Sequence, residues 1–216
     1  MEEEPKMGEQ YRGKSVAEQN SLDLAWEVLM QDNFADLRRC LFTTQDDLIR
    51  FRGLVVNIVL ATDIFGKDLN NLRKNRWDEA FADEDKFDSD LRATIVLEHI
   101  IQASDVSHTM QHWQVYQKWN RRLFSEMRAA FKAGRMAKDP ATFWYRGELG
   151  FFDNYIIPLA GKLESCGVFG VSSDEYLNYA LQNRAEWAER GEEMLREMVA
   201  SLDAASLESV LEQKGE

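Results

Sequence analysis

Cysteine is scarce in this sequence of 216 residues, which contains only Cys40 and Cys166. The two lie far apart and form no Cys-x-x-Cys pair, so the sequence supports neither a disulfide framework nor a structural zinc site. We therefore expect a reducing, cytoplasmic compartment. The start, MEEEPKMGEQ, is acidic where a signal or transit peptide would be basic. The apolar run GLVVNIVLATDIFG is too short to span a bilayer, although a longer parent protein could have a membrane tether elsewhere.

Basic residues are in the minority, because 26 Lys and Arg stand against 38 Asp and Glu and give a net charge of -12. A negative surface repels phosphate backbones, so we expect no nucleic-acid partner. The composition is 44% hydrophobic and 11% aromatic. A chain of this length and composition is able to bury a good-sized core, in one domain or at most two.

Proline occurs only three times, and apolar residues recur at spacings of three and four. This pattern predicts an all-α fold. The expected helices occupy residues 15–31, 34–42, 45–65, 68–81, 88–106, 110–134, 140–163 and 173–202. Asp139 before Pro140 predicts a capped helix start. The chain divides into a charged segment over 1–13, one helical domain over 14–202 and a charged tail over 203–216. We expect the ends, about 1–12 and 205–216, to be frayed.

All three histidines of the chain, His99, His108 and His112, fall within the stretch EHIIQASDVSHTMQHWQVY. Asp105, His108 and His112 are spaced i, i+3 and i+7, so a continuous helix would place them on one face, as metal ligands require. This spacing is common by chance, and polar residues at a helix end are the better explanation for the histidines. Asp105 differs, because it interrupts the apolar run IVLEHIIQASDV, where a carboxylate is costly unless it is paired or bound to a cation.

Short segments spread along the chain form a pattern with Asp105 near its centre. They are KSVAEQNSLDLAWEVL (14–29), LVVNIVLATDI (54–64), IIQASDVSH (100–108), YQKWNRRL (116–123), GELGFFDNYIIPLA (147–160) and YALQNRAEW (179–187). In this order, and over roughly residues 14 to 190, they resemble the catalytic domain of class I 3′,5′-cyclic nucleotide phosphodiesterases. The variants at Glu148 and in GVFGVSSDEYLNYA look more like protist or algal members than animal ones.

The resemblance implies a compact all-helical catalytic domain of the HD type that hydrolyses cGMP, cAMP or both to the 5′-monophosphate in signal transduction. Two divalent cations, zinc together with magnesium or manganese, activate a water against the cyclic phosphate in such a domain. Asp105 matches the family's second metal-binding Asp. The family's metal-binding histidines, its first metal Asp and its proposed general-acid histidine precede residue 14. MEEEPKMGEQYRGK has no histidine, so we interpret 14–202 as a partial catalytic domain.

That interpretation has consequences for activity and for partners. The chain contains no catalytic residue that we can assign, and we do not expect it to hydrolyse a cyclic nucleotide alone. Its partners are the cyclic nucleotide substrate and the missing N-terminal half of the catalytic domain. Apolar helix faces that this half would cover should make the chain poorly soluble or low-melting.

The resemblance also assigns substrate-binding residues. Glu148 replaces a glutamine that binds the purine, Phe151 and Leu123 match the aromatic and aliphatic halves of a purine clamp, and His108 stands where many members have Asn near the ribose and phosphate. An ionised Glu148 only accepts hydrogen bonds, and guanine presents N1–H and N2–H₂ together, so we predict a preference for cGMP. Alternatively, Glu148 is an ordinary acid at a helix start. We assign four aromatic residues mainly to packing: Tyr116, Trp119, Phe152 and Tyr155. Asn120 and Asp153 are expected to hydrogen-bond near the pocket.

A non-catalytic module of the same fold, which binds a nucleotide or a partner without hydrolysis, is the alternative function. Gln102 in place of a family histidine favours it, as does Asn20-Ser21 where the family has a histidine pair. Retention of Asp105, Glu148 and Phe151 favours the enzyme. A four-helix carboxylate metalloprotein is a weaker third possibility, because its Glu-x-x-His pairs do not occur here.

Overall fold

A computed structural model describes residues 5–64, 66–82 and 89–214. Regular structure in these ranges is helical throughout, which confirms the predicted all-α class. The α-helices are α1 Pro5–Gln10, α2 Val16–Leu29, α3 Ala35–Leu41, α4 Gln45–Ala61, α5 Lys67–Ala82, α6 Ser89–Asp105, α7 Trp113–Lys132, α8 Trp144–Phe151, α9 Ile157–Ser165 and α10 Ser173–Lys214. Short 3₁₀ helices cover Asp32–Phe34, Ser107–Met110, Pro140–Thr142 and Gly170–Ser172, and a π-helical turn covers Phe152–Ile156.

The five helices expected between residues 15 and 106 are confirmed to within a few residues at each end. The single helix expected over 140–163 is wrong. Asp139 does cap a helix at Pro140, but this is a 3₁₀ turn, and α8 and α9 follow with the π-turn between them. Pro158 in the first turn of α9 has no N–H to donate to the preceding turn, and a wider turn accommodates that loss.

The prediction of frayed ends is also wrong over the described residues 5–12 and 205–214, while 1–4 and 215–216 lie outside the described part of the chain. Helix α1 forms over Pro5–Gln10, and α10 continues to Lys214 instead of ending near residue 202. The extension over 203–214 reads DAASLESVLEQK. Ala, Leu, Glu, Gln and Lys are among the strongest helix formers, so local propensity outweighs the charge that suggested fraying.

The chain forms two compact units, an N-terminal unit over Met1–Asp105 and a C-terminal unit over Val106–Glu216. In the N-terminal unit, α4 packs against α2, α3 and α6. The Glu98 side chain on α6 is fully buried and accepts hydrogen bonds on Oε1 from Asn57 at 2.6 Å and Arg76 at 2.8 Å. A buried carboxylate is tolerated only with such partners, so this pair fixes how α4, α5 and α6 meet.

Helices α2 and α3 of the N-terminal unit have no buried residue. Large apolar side chains on them are exposed, including Leu24 at 54%, Val28 at 47%, Leu37 at 47% and Leu41 at 40%. Each helix presents two of these residues at i and i+4, which places them on one face. We call this set the apolar face of α2 and α3.

The C-terminal unit has an aromatic core on which α7, α8, α9 and α10 converge. The rings of Tyr116 and Trp187 meet edge to face at 5.9 Å, as do Phe124 and Trp144 at 5.3 Å. All four side chains are buried. Edge-to-face contacts between such large rings stabilise the core of this unit.

Cys40 and Cys166 are both unpaired. Within the described ranges, the structure contains no helix that is long and apolar enough to cross a membrane.

Candidate functional site

Glu148 lies at the end of a directed chain of hydrogen bonds in the C-terminal unit. The Tyr116 hydroxyl donates to Glu148 Oε2 at 2.7 Å, and Asn120 Nδ2 donates to the Tyr116 oxygen at 3.2 Å. Trp144 Nε1 in turn donates to Asn120 Oδ1 at 3.2 Å. An indole N–H can only donate, so it fixes the orientation of the Asn120 amide. Each link therefore presents a proton toward Glu148, and we call these four residues the Glu148 network.

Burial raises the pKa values of both titratable members of the Glu148 network, Glu148 and Tyr116. Burial raises the pKa of Glu148 above its ordinary value, while the hydrogen bonds from Tyr116 and Asn120 act in the opposite direction. Burial also raises the pKa of Tyr116 well above its ordinary value, and the neighbouring Glu148 charge adds to this. Tyr116 is therefore a permanent donor at neutral pH, and Glu148 Oε2 is held as an acceptor.

Sequence reasoning missed part of this network. Tyr116 was assigned to packing, and its ring does pack in the core, yet its hydroxyl is the partner of Glu148. The i, i+4 spacing of Tyr116 and Asn120 on α7 was the available indication, since such residues share a helix face. The expected hydrogen bond of Asn120 is confirmed. The alternative reading of Glu148 as a helix-start acid is wrong, because α8 begins at Trp144 and has no acid in its first turn.

The two predicted clamp residues lie on different helices of the C-terminal unit. Phe151 is on α8, three residues after Glu148, and its ring stacks on Tyr155 with centroids 5.3 Å apart and planes 16° apart. Leu123 is on α7, seven residues after Tyr116, and is 47% exposed. The clamp that these two residues would form stays a prediction.

The remaining aromatic and polar assignments have mixed outcomes. Phe152 is fully buried and packs against Tyr116, as expected. Trp119 is 46% exposed, so its assignment to packing is wrong. It forms a ring contact with His108 at 6.3 Å. Asp153 makes a bidentate ion pair with Arg184 at 2.9 Å.

The one-helix arrangement of Asp105, His108 and His112 does not form. Helix α6 ends at Asp105, and Val106 leaves the helical conformation with φ -109° and ψ 20°. His108 then lies in the 3₁₀ turn. His112 directly precedes α7 without a capping bond from its side chain, and its Nε2 lies 3.1 Å from the Tyr179 hydroxyl. The break lies between the helices expected over 88–106 and 110–134, although the sequence around Ser107 has neither proline nor glycine.

Asp105 is exposed, so the expectation of a buried carboxylate is wrong. It is the last residue of α6 and is not among the buried residues of that helix. Gln102 is the buried polar residue of this turn, and its Nε2 donates to the Ala61 carbonyl at 2.9 Å. This bond ties α6 to the end of α4, which is a structural role.

The described residues do not fit a two-metal centre by themselves. Among them, no group of three or more His, Cys, Asp and Glu side chains is placed to hold a metal ion. Two-metal hydrolysis requires several carboxylate and imidazole ligands around the ions. Asp105 offers a single carboxylate, and its role as a ligand stays a prediction.

The chain was compared with known proteins. A family model for 3′5′-cyclic nucleotide phosphodiesterase matches residues 1–166. The chain belongs to this family. It is 27% identical over 165 residues to the probable 3′,5′-cyclic-AMP phosphodiesterase pde-4 of Caenorhabditis elegans, covering 69% of this chain and 23% of that protein.

A second relative is the dual specificity calcium/calmodulin-dependent 3′,5′-cyclic nucleotide phosphodiesterase 1B of Homo sapiens. It is 26% identical over 116 residues, covering 54% of this chain and 20% of the relative. The chain therefore spans less than a quarter of the length of these curated relatives. The family resemblance read from the sequence is confirmed.

The fold is likewise that of a phosphodiesterase catalytic domain. The phosphodiesterase domain of the RhoPDE fusion protein from the choanoflagellate Salpingoeca rosetta matches with a TM-score of 0.69 at 19% identity. The match covers 89% of this chain and 61% of that structure. About two-fifths of the solved domain therefore has no counterpart in the matched part of this chain.

Proposed function

We propose that the C-terminal unit forms the purine-binding side of a 3′,5′-cyclic nucleotide phosphodiesterase site that prefers cGMP. The observation that carries the proposal is the 2.7 Å hydrogen bond from Tyr116 to Glu148 Oε2. Because Tyr116 must donate to this oxygen, Glu148 takes part in the site as an acceptor. Phe151 and Leu123 would enclose the base, and His108 would contact the ribose or phosphate.

The chemistry of the two bases explains the proposed preference. Guanine offers N1–H and N2–H₂ side by side, and both can donate to an ionised carboxylate. Adenine offers a donor at N6 but an acceptor at N1, which would face a lone pair of Glu148. Leaving a buried charged acceptor without a donor costs about 1–3 kcal/mol, so we expect roughly tenfold or greater selectivity.

Calorimetric titration of the 216-residue chain with cGMP and with cAMP tests the proposal. The Glu148→Gln variant should bind cAMP more tightly relative to cGMP, by about tenfold, because an amide can donate to adenine N1. Glu126→Gln is the matched control, since Glu126 is an exposed residue of α7. An unchanged base preference in Glu148→Gln would refute the role of Glu148. Absence of binding by the wild-type chain would refute the purine pocket itself.

Hydrolysis, in this proposal, requires a second segment that completes the catalytic domain. Two divalent cations, zinc with magnesium or manganese, belong to the intact domain, and Asp105 would supply one carboxylate ligand. The apolar face of α2 and α3 supports the need for a further segment, because exposed large apolar residues at i and i+4 on both helices are typical of a contact surface.

A complementation experiment tests that requirement. The polypeptide that completes the domain in a family member should raise the melting temperature of the chain when the two are mixed. The Leu37→Gln variant should reduce the effect, and Leu72→Gln should not, since Leu72 lies outside this face. An equal response of both variants would exclude α2 and α3 as the contact. We place the assembled protein in the cytoplasm, in accordance with its unpaired cysteines.

A non-catalytic nucleotide-binding module is the second candidate. Gln102 favours it, because it stands where the family has a histidine and cannot exchange a proton. Its buried amide is instead bonded to the Ala61 carbonyl. The completed domain would then bind cGMP without releasing 5′-GMP. Chromatography of the nucleotide after incubation distinguishes the two functions.

A further inference from the structure

Asn183 on α10 makes an unusual pair of hydrogen bonds to the chain between α6 and α7. Its side chain is 1% exposed. Nδ2 donates to the Thr109 carbonyl at 2.9 Å and to the Gln111 carbonyl at 2.7 Å. An amide nitrogen has two hydrogens, and both are used here.

The two carbonyls need an external donor. Gln111 has φ -128° and ψ -179°, so the chain is extended after the 3₁₀ turn and its carbonyls leave the helical pattern. Thr109 is buried, and a buried carbonyl without a partner destabilises a fold, whereas Gln111 is exposed. Asn183 satisfies both carbonyls with one side chain. The bonds therefore fix the 3₁₀ turn and the direction in which the chain leaves it at Gln111.

A second contact from α10 holds the same segment. Tyr179 lies one turn before Asn183, and its hydroxyl is 3.1 Å from His112 Nε2, with ring centroids 4.8 Å apart. Asn183 and Tyr179 share one face of α10 through their i, i+4 spacing. Asn183 thus holds residues 109 and 111, and Tyr179 holds the next residue, His112.

Helix α10 itself has other anchors. Arg184 makes its bidentate pair with Asp153, and Trp187 Nε1 donates to the Tyr145 carbonyl at 3.1 Å. Loss of Asn183 would therefore release residues 107–111 and leave α10 in place. His108 lies in that segment and contacts Trp119, so the release would displace its imidazole.

We propose that Asn183 is a positioning residue that fixes residues 107–111, and with them His108, in the geometry that nucleotide binding requires. The clause on nucleotide binding rests on the proposed function. Asn183 touches no ligand in this proposal and acts through the backbone of the segment. Tyr179 supports the same geometry through His112.

The experiment compares Asn183→Ala and Asn183→Asp with the control Gln182→Glu in the 216-residue chain. Gln182→Glu makes the same amide-to-carboxylate change at an adjacent, exposed position of α10. Hydrogen exchange of the amides of residues 107–112 should accelerate about tenfold or more in both Asn183 variants, while exchange in residues 184–198 stays near wild type. The His108 imidazole resonance, assigned with His108→Gln, should shift.

Nucleotide titration completes the test. The dissociation constant for cGMP should rise about tenfold in the Asn183 variants and stay unchanged in Gln182→Glu. Tyr179→Phe keeps the ring, removes only the hydroxyl, and should show the same effects to a smaller extent. This variant decides the proposal if the Asn183 substitutions prevent folding.

Two results would overturn the inference. Uniform acceleration of exchange over the whole C-terminal unit would show that Asn183 serves general stability, and wild-type cGMP affinity despite a shifted His108 resonance would show that the segment does not affect binding. A wild-type chain that binds no nucleotide refutes the proposed function instead. In that case the exchange pattern and the His108 resonance alone decide whether Asn183 positions the segment.

Discussion

Trp144 and Glu148 lie one turn apart on α8, and the structure connects them through two residues of α7. The indole N–H of Trp144 orients Asn120, which donates to Tyr116, which donates to Glu148. Trp144 makes no hydrogen bond to Glu148, yet it determines that Tyr116 presents its hydroxyl hydrogen to Glu148. The hydrogen-bonding character of the site depends on this order of donors.

The first prediction concerns that order. In Trp144→Phe the donor to Asn120 Oδ1 is lost, so the amide is able to turn and present its oxygen to Tyr116. Tyr116 then donates to Asn120 in part of the molecules, and Glu148 loses its fixed role. We expect the ratio of the cAMP and cGMP dissociation constants to fall about tenfold, with a stability cost of about 1 kcal/mol.

Calorimetric titration with both nucleotides measures this ratio. Trp26→Phe is the control, because Trp26 belongs to the N-terminal unit and lies beside Arg52. A Trp144→Phe protein that is destabilised yet keeps its full base preference would show that Asn120 does not need the indole for its orientation.

The second prediction concerns pH. Burial raises the pKa of Glu148 in the native state above the ordinary value of 4.5. The native state therefore binds more protons than the unfolded chain between the two values, and the free energy of unfolding falls as pH rises through that window. This contribution is complete below the unfolded value and is lost above the folded one.

Urea unfolding from pH 4 to pH 8 of wild type and Glu148→Gln isolates this effect from the carboxylates of Asp47, Asp139 and Asp153, whose lowered pKa values act in the opposite sense. Glutamine keeps an acceptor for Tyr116 without a titratable group. We expect the variant to be more stable than wild type at pH 8 and the difference to shrink toward pH 4. A constant difference at all pH values would contradict the prediction.

The sequence predicted the helical class and the first five long helices because their apolar spacing and few breakers are local properties. It placed a break between residues 106 and 110 without showing how that segment is held, and it failed at the turn between α8 and α9. Both are held by distant residues: Asn183 satisfies carbonyls of the first, and Arg184 pairs with Asp153 in the second. Such bonds join positions more than thirty residues apart, which a reading of local pattern does not reveal.

The candidate site was predictable to a similar degree. Glu148, Phe151 and Leu123 were located through the family resemblance, since their residue types alone are ordinary for a helical core. The role of the Tyr116 hydroxyl required coordinates, because a buried tyrosine is equally compatible with packing. Asp105 shows the converse case, because its apolar sequence context suggested burial and the structure leaves it exposed at the end of α6.

The third prediction concerns Gly191 on α10. A Cβ built there would lie 2.8 Å from the Trp187 ring and 3.0 Å from Tyr145 Cδ2. Trp187 is fully buried and bonded to the Tyr145 carbonyl, so it has little room to move. Gly191→Ala should therefore destabilise the chain by about 1–3 kcal/mol despite the higher helix propensity of alanine.

Gly53→Ala is the matched control for that substitution. Gly53 lies inside α4, and a Cβ there meets nothing within 4 Å. Alanine in a helix interior should stabilise it by about 0.5–1 kcal/mol. Opposite signs in thermal unfolding are expected, and stabilisation by both substitutions would mean that Trp187 is free to shift.

The fourth prediction concerns the buried carboxylate of the N-terminal unit. Glu98 Oε1 accepts from both Asn57 and Arg76, whereas Oε2 has no hydrogen-bond partner among the described residues. Arg76→Met leaves a buried charge with a single amide donor and should cost about 3 kcal/mol or more. The double variant Arg76→Met with Glu98→Gln removes the charge and should recover much of that loss.

Urea unfolding of wild type, both single variants and the double variant measures the coupling directly. Arg50→Met is the control, because its ion pair with Asp90 is exposed and should contribute less than about 1 kcal/mol. Equal costs for Arg76→Met and Arg50→Met would contradict the prediction that the buried pair contributes more than the exposed one. Since α4 and α6 are both attached to this carboxylate, the double variant also shows whether their packing depends on the charge or on the apolar contacts around it.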